Sequence, residues 1–90
     1  MPLPQVVTVP AEVMARQVGD ETVILDLASG NYYGLDPVGA RIWQLLGEGK
    51  SLAQVCDTLT AEYEVSRATA EQDLEHLVRE LGAKGLLTLG

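Results

Sequence analysis

His76 is the residue with the most versatile chemistry in this chain of 90 residues, because imidazole titrates near neutral pH and binds metals. It follows Asp73 by three residues and precedes Glu80 by four, so one helical face would carry an imidazole between two carboxylates. An imidazole placed beside carboxylates occurs in general-base catalysis and in metal sites. A zinc site takes three or four ligands, however, and the chain has one His and one Cys. We therefore predict a partly exposed helix residue and no metal site.

Cys56 is the second candidate, as a nucleophile. It lies among apolar residues at helical spacing, where a free cysteine usually packs as a small hydrophobic side chain. The chain contains no G-x-S-x-G motif, no Ser-His-Asp order and no phosphate-binding glycine loop. We predict that Cys56 packs in the core, that the chain is not an enzyme acting alone, and that it has no catalytic residues and no cofactor.

The charge balance narrows the range of partners. Thirteen acidic against six basic residues give a net charge of −7. Nucleic acids and anionic membranes attract Lys and Arg, so this composition disfavours both partners and is compatible with a cationic or neutral peptide. No segment resembles a signal peptide or approaches the ~18 apolar residues of a membrane span. With one cysteine and no internal disulfide, we expect a cytoplasmic protein.

Three short runs rich in β-branched or aromatic residues lie at residues 13–18, 22–27 and 32–35. The turns between them contain Gly19-Asp20 and Ser29-Gly30-Asn31, which tolerate the positive φ of tight turns. This pattern predicts a three-stranded antiparallel β-meander.

The segment before the meander differs in composition. Residues 1–12 contain three of the four prolines, and only residues 5–9 have an extended pattern. We interpret residues 1–12 as a flexible, loosely attached arm that can contribute an edge strand, and residues 13–90 as a single domain.

Three helices are predicted after the meander. Asp36-Pro37 is a typical helix start, Ser51 and Gln54 form a capping box, and Ser66 caps the third helix. Apolar residues then recur at helical spacing up to Lys84. The fold class is α+β: a winged-helix-like arrangement of a three-stranded antiparallel β-meander followed by three α-helices.

Winged-helix domains frequently bind DNA, so the charge of the third helix indicates whether this chain could do the same. Its charged residues are four acids and three bases: Arg67, Glu71, Asp73, Glu75, Arg79, Glu80 and Lys84. A helix in the major groove needs a basic face. The sequence therefore argues against a nucleic-acid partner.

The last strand of the meander is predicted to be an open edge. Protein edges are usually blunted by Lys, Pro or charge, and residues 31–35 contain none of these. Their sequence, Asn31, Tyr32, Tyr33, Gly34 and Leu35, permits close backbone approach and is compatible with β-strand addition of a peptide. The alternative is that the two tyrosines are ordinary strand residues, one facing inward and one outward.

Two segments carry a resemblance to a known family. Residues 24–43, ILDLASGNYYGLDPVGARIW, resemble the pyrroloquinoline-quinone biosynthesis protein D (PqqD-like) family. Residues 73–81, DLEHLVREL, and residues 84–87, KGLL, are similar to that family's third helix and ending. The resemblance covers about residues 13–89.

The resemblance implies a non-catalytic recognition element for precursor peptides that are ribosomally made and then modified. It implies that the leader peptide adds as a strand to residues 31–35, in a groove bounded by the third helix. The helix wall would then include Asp73, His76, Leu77 and Glu80. The partners implied are a leader peptide and a maturation enzyme.

The subfamily is narrowed by the run YYGLDPVGA, which looks more like stand-alone recognition proteins, including those of lasso-peptide pathways that serve a leader peptidase. The alternatives are a peptide chaperone for a radical enzyme and a winged-helix regulator. The acids of the third helix either favour a basic leader or form a solvated helix face.

Overall fold

The computed structural model describes residues 6–89 and contains five strands and three helices. In chain order these are β1 (Val7–Thr8), β2 (Val13–Val18), β3 (Glu21–Asp26), β4 (Tyr32–Leu35), α1 (Pro37–Gly47), α2 (Leu52–Glu62), α3 (Arg67–Ala83) and β5 (Thr88–Leu89). The predicted meander followed by three helices is confirmed.

The central sheet has the order β2-β3-β4, and both pairs are antiparallel. Its hairpins turn at Gly19 and Gly30, whose φ angles of 63° and 80° lie in the left-handed region that favours glycine. The register aligns Ala15, Ile24 and Tyr33 across the three strands. Successive side chains alternate between the faces of a sheet, so this row fixes the face that each other residue occupies.

The helices begin at the capping residues that the sequence predicts. The Asp36 side chain accepts a hydrogen bond from Gly39 N at 2.7 Å, Ser51 and Gln54 form the reciprocal capping box, and Ser66 Oγ accepts from Thr69 N. These bonds satisfy N–H groups that have no partner within a helix. The three helices therefore start at positions that the chain itself determines locally.

The core lies between the helices and one face of the sheet, which we call the inner face. Ile24 is fully buried there, and Leu35 and Val13 are buried on the same face. Trp43 of α1 is 9% exposed, and Cys56 of α2 is buried in the same apolar cluster, as predicted for core packing. The opposite, outer face of the sheet carries the exposed Met14 and Tyr32.

A second, two-stranded sheet pairs β1 with β5 antiparallel, Val7 opposite Leu89. Val7 is 6% exposed and belongs to the core cluster. The sequence predicts a loosely attached arm over residues 1–12 that can contribute an edge strand. Residues 7–8 form such a strand, and Val7 packs on the domain because a β-branched side chain gains by burial. Residues 1–5 lie outside the described residues, and the flexibility of the arm stays a prediction.

Candidate functional site

β4 is an edge of the three-stranded sheet, and the hydrogen bonds around it define its backbone orientation. Asp26 N donates to Asn31 O at 2.9 Å across the β3–β4 hairpin, while Leu27 N donates to Glu12 O at 2.9 Å on the other side of β3. In an antiparallel pair, hydrogen-bonded and non-bonded residue pairs alternate. The bonded pairs between β3 and β4 are therefore Asp26–Asn31, Ile24–Tyr33 and Thr22–Leu35, given their register.

The alternation leaves two residues of β4 with their backbone polar groups directed away from the sheet. Tyr32 and Gly34 belong to non-bonded pairs with Leu25 and Val23, so their N–H and C=O groups point toward the open edge. The Tyr33 N–H points toward β3. The two adjacent tyrosines thus differ in backbone role as well as in exposure, since Tyr32 is 71% exposed and Tyr33 is half-buried.

A groove with a volume of about 390 Å³ runs beside this edge, between β4 and α3. Tyr33, Gly34 and Leu35 form one wall. The other wall comes from α3 and consists of Ala70, Asp73, His76 and Leu77. Six of the nine residues predicted for the site therefore line a single groove.

The floor of the groove consists of residues that sequence reasoning did not assign to the site. Ile42 of α1 and Leu59 of α2 lie beneath it, and Tyr63 and Val65 close it from the loop between α2 and α3. Helical spacing indicates only that such residues are apolar and face inward. Val65 is the exception, because it is a large hydrophobic residue in a short loop, where it is 38% exposed. Such a residue in the sequence could have indicated a binding surface.

Three of the predicted residues do not line the groove. Tyr32 projects from the outer face. Asn31 and Glu80 lie at one end of the groove, where β4 meets the last turns of α3: Asn31 Nδ2 donates to Lys84 O at 3.0 Å, and Tyr33 Oη donates to Glu80 Oε2. Lys84 Nζ lies 5.9 Å from the centre of the Tyr33 ring.

These contacts join the two walls of the groove at that end. Donation to the Glu80 carboxylate, with a smaller contribution from burial, raises the pKa of the Tyr33 hydroxyl. The phenol therefore stays protonated and keeps the bond at neutral pH. These contacts pair the start of β4 with the end of α3, and the groove extends from there to Asp36 and Asp73.

The ionisable side chains that line the groove include the carboxylate of Asp73 and the imidazole of His76. The Asp73 carboxylate has no hydrogen-bond or ion-pair partner within residues 6–89. His76 is 75% exposed, and its Nε2 lies 3.6 Å from Glu80 Oε1. His76 is thus an exposed residue beside an acid, where the sequence predicts a partly exposed one.

Both arginines of α3 form ion pairs with acidic side chains. Arg67 binds the carboxylates of Asp57 and Glu71, and Arg79 Nε lies 3.0 Å from Glu75 Oε1. Phosphate contacts would have to displace these exposed pairs, and the acids would still repel the phosphates. The face of α3 is thus poorly suited to a DNA groove.

The described residues offer little covalent or metal chemistry. Burial raises the pKa of the Cys56 thiol, which disfavours the reactive thiolate. No group of three or more His, Cys, Asp or Glu within residues 6–89 is arranged to hold a metal ion. None of the helices in that range is long and apolar enough to cross a membrane. What the arrangement can do is bind an extended chain, through backbone bonds at the edge and side chains in the groove.

Comparisons with known proteins agree on one relationship. Residues 21–87 match the family described as coenzyme PQQ synthesis protein D (PqqD). The solved structure of TbiB1 in complex with the TbiA(beta) leader peptide is 45% identical, covers 89% of this chain and 93% of that chain, and has a TM-score of 0.82. Lasso peptide synthetase B1, complexed with the leader peptide, is 38% identical over 90% and 95% of the two chains, with a TM-score of 0.82. The search of curated proteins gave no match.

Proposed function

The chain belongs to the PqqD family, and on that premise we propose that it binds the leader segment of a ribosomally made precursor peptide by strand addition to β4. The solved relatives were both captured with a leader peptide. The match to a lasso peptide synthetase B1 favours a lasso-peptide pathway for this chain.

One observation carries the proposal: the open edge of β4 lies directly beside an apolar groove. The N–H and C=O groups of Tyr32 and Gly34 point outward, and an incoming strand can bond to both. Main-chain bonds of this kind give affinity with little dependence on sequence. The groove supplies the sequence dependence, because alternate side chains of the added strand point to its side of the sheet.

The predicted site residues have separate roles in this proposal. Tyr32 and Gly34 supply the backbone bonds, while Tyr33, Leu35 and Leu77 contact the leader side chains that enter the groove. Asp73 and His76 contact polar groups at the rim.

The remaining two predicted residues act through the end of the groove. Asn31 and Glu80 hold β4 against α3 there, through Lys84 O and Tyr33 Oη. We propose them as positioning residues that set the width of the groove, rather than as direct contacts of the leader.

The bound leader is passed, in this proposal, to a separate maturation enzyme. The domain is not itself an enzyme and works in the cytoplasm without a cofactor. By holding the precursor near a leader peptidase, it raises the local precursor concentration, which increases the rate of an enzyme that binds the peptide weakly. A radical enzyme is the alternative partner.

The test uses the TbiA(beta) leader peptide as the probe. Calorimetric titration of the chain should give saturable 1:1 binding, and amide chemical shifts should move most at residues 31–35 and 70–81. Binding with shifts confined to residues 51–63, and residues 31–35 silent, would contradict strand addition. No binding at high peptide concentration would contradict the proposed function.

A further inference from the structure

Gly34 leaves a gap on the outer face of the sheet, beside the open edge of β4. A Cβ atom built at this position would meet no atom nearer than Glu21 Oε2, at 4.0 Å. Its φ is not positive, so the backbone conformation does not require glycine. Neither local conformation nor packing within the described residues accounts for the missing side chain.

The surroundings of the gap combine apolar surface with a carboxylate. Val23 is the cross-strand neighbour of Gly34, and Tyr32 lies on the same face of β4, largely exposed. The Glu21 carboxylate reaches toward the gap and has no hydrogen-bond or ion-pair partner within residues 6–89. A side chain entering the gap would therefore lie beside the apolar Val23 and Tyr32 and meet the negative charge of Glu21.

The register of an added strand determines which leader residue meets this gap. Because the N–H and C=O groups of Gly34 point outward, a leader strand that adds antiparallel to β4 has one residue that exchanges both backbone bonds with Gly34. Side chains of directly paired residues lie on the same face of a sheet. That leader side chain is therefore on the outer face, over Gly34, while its two neighbours in the leader point into the groove.

We infer that the leader residue paired with Gly34 is a lysine or arginine whose side chain crosses the bare backbone of Gly34 to reach Glu21. This inference rests on the proposed function. Long basic side chains lay their methylene groups on apolar surface and keep the charged end in water, which fits a gap flanked by Val23 and Tyr32 with an exposed carboxylate at hand. A leader acid at the same position would be repelled by Glu21.

The experiment is a charge scan of the TbiA(beta) leader peptide. Each position is replaced in turn by Lys and, in a second set, by Glu, and Kd is measured against the wild-type chain. At one position the Lys peptide should bind about 5-fold more tightly than the Glu peptide, the size expected for an exposed cross-strand charge pair. In the Glu21→Gln variant this ratio should fall to about 1.

Glu12→Gln is the matched control, since it makes the same charge change. Glu12 precedes β2, at the far edge of the sheet from β4, and its carbonyl bonds to Leu27 N. The control should keep the Lys preference of the wild type. A loss of preference in both variants would mean that net charge, and not Glu21, is responsible.

A second variant, Gly34→Val, fills the gap without touching a charge. Valine suits a strand, and its Cβ has open space, so circular dichroism should report a folded domain. The Lys preference should fall as in Glu21→Gln. If the wild type binds the leader but no position depends on Glu21, the inference is wrong and the proposed function stands. If the wild type binds none of the peptides, both fail.

Discussion

Proline substitution at the two adjacent tyrosines of β4 separates binding from folding. Proline removes the backbone N–H, and the two N–H groups point in opposite directions: that of Tyr32 toward the open edge and that of Tyr33 toward Ile24 of β3. Tyr32→Pro should therefore remove one bond to the leader and place a ring on the docking edge. Tyr33→Pro should break the sheet itself.

The expected magnitudes differ clearly. For Tyr32→Pro, the lost bond is worth about 0.5–1.5 kcal/mol, and the ring adds a steric cost, so Kd should rise about 10-fold or more. The free energy of unfolding should change by less than about 1 kcal/mol, because the Tyr32 side chain is 71% exposed and proline is tolerated at sheet edges. For Tyr33→Pro, a ladder bond, the bond to Glu80 and half-buried aromatic packing are lost together.

That combined loss should cost about 3 kcal/mol or more of the roughly 5–15 kcal/mol typical of a folded domain. Urea denaturation followed by circular dichroism measures the unfolding free energies, and fluorescence anisotropy with the labelled TbiA(beta) leader measures Kd. Tyr32→Ala is the control, because it removes the same side chain and keeps the N–H; it should bind within about 3-fold of the wild type. A folded Tyr32→Pro variant with unchanged Kd, or a Tyr33→Pro variant as stable as the wild type, would refute the backbone orientation given above.

Three further predictions concern stability and partner class. Trp43→Ala should lower the free energy of unfolding by about 3–5 kcal/mol, since the indole is buried in the core; a loss below about 1 kcal/mol in urea denaturation would contradict that burial. Tyr33→Phe should lower the free energy of unfolding by about 1 kcal/mol at neutral pH. The bond to Glu80 raises the pKa of the Tyr33 hydroxyl above its ordinary 10.0, so this stabilisation is complete below pH 10.0 and is lost as the pH rises through the raised pKa. The unfolding free energies of the wild type and the variant should therefore converge when denaturation is measured at increasingly alkaline pH. Duplex DNA should not bind at physiological salt, given the net charge of −7 and the paired arginines of α3; sub-micromolar, salt-sensitive binding in a gel-shift titration would point to a regulator instead.

The helices and the meander could be predicted because their signals are local. The caps at Asp36, Ser51 and Ser66 depend on side chains that bond within three residues, and the turns depend on glycines next to short apolar runs. The pairing of β1 with β5 could not be predicted in the same way. It joins residues more than 75 positions apart through two residues on each strand, too few to carry an alternating pattern.

The site was predictable in outline and less so in detail. The absence of Lys and Pro over residues 31–35 indicated an open edge, but which tyrosine faces outward depends on the hairpin register, and a shift of one residue would exchange them. The floor of the groove could not be predicted from the sequence. Helical spacing indicates that Ile42 faces inward, but not whether another side chain covers it or it lies beneath the groove.

The pairing of Val7 with Leu89 brings the two ends of the described chain together as neighbouring strands. Paired antiparallel residues lie about 5 Å apart at their Cα atoms, so a linker of a few residues could join them without straining either sheet. The fold is consequently suited to circular permutation, with new termini placed in an exposed turn such as that around Asp20. For the same reason it could be inserted as one unit into a surface loop of a larger enzyme, where both connections would leave the domain side by side.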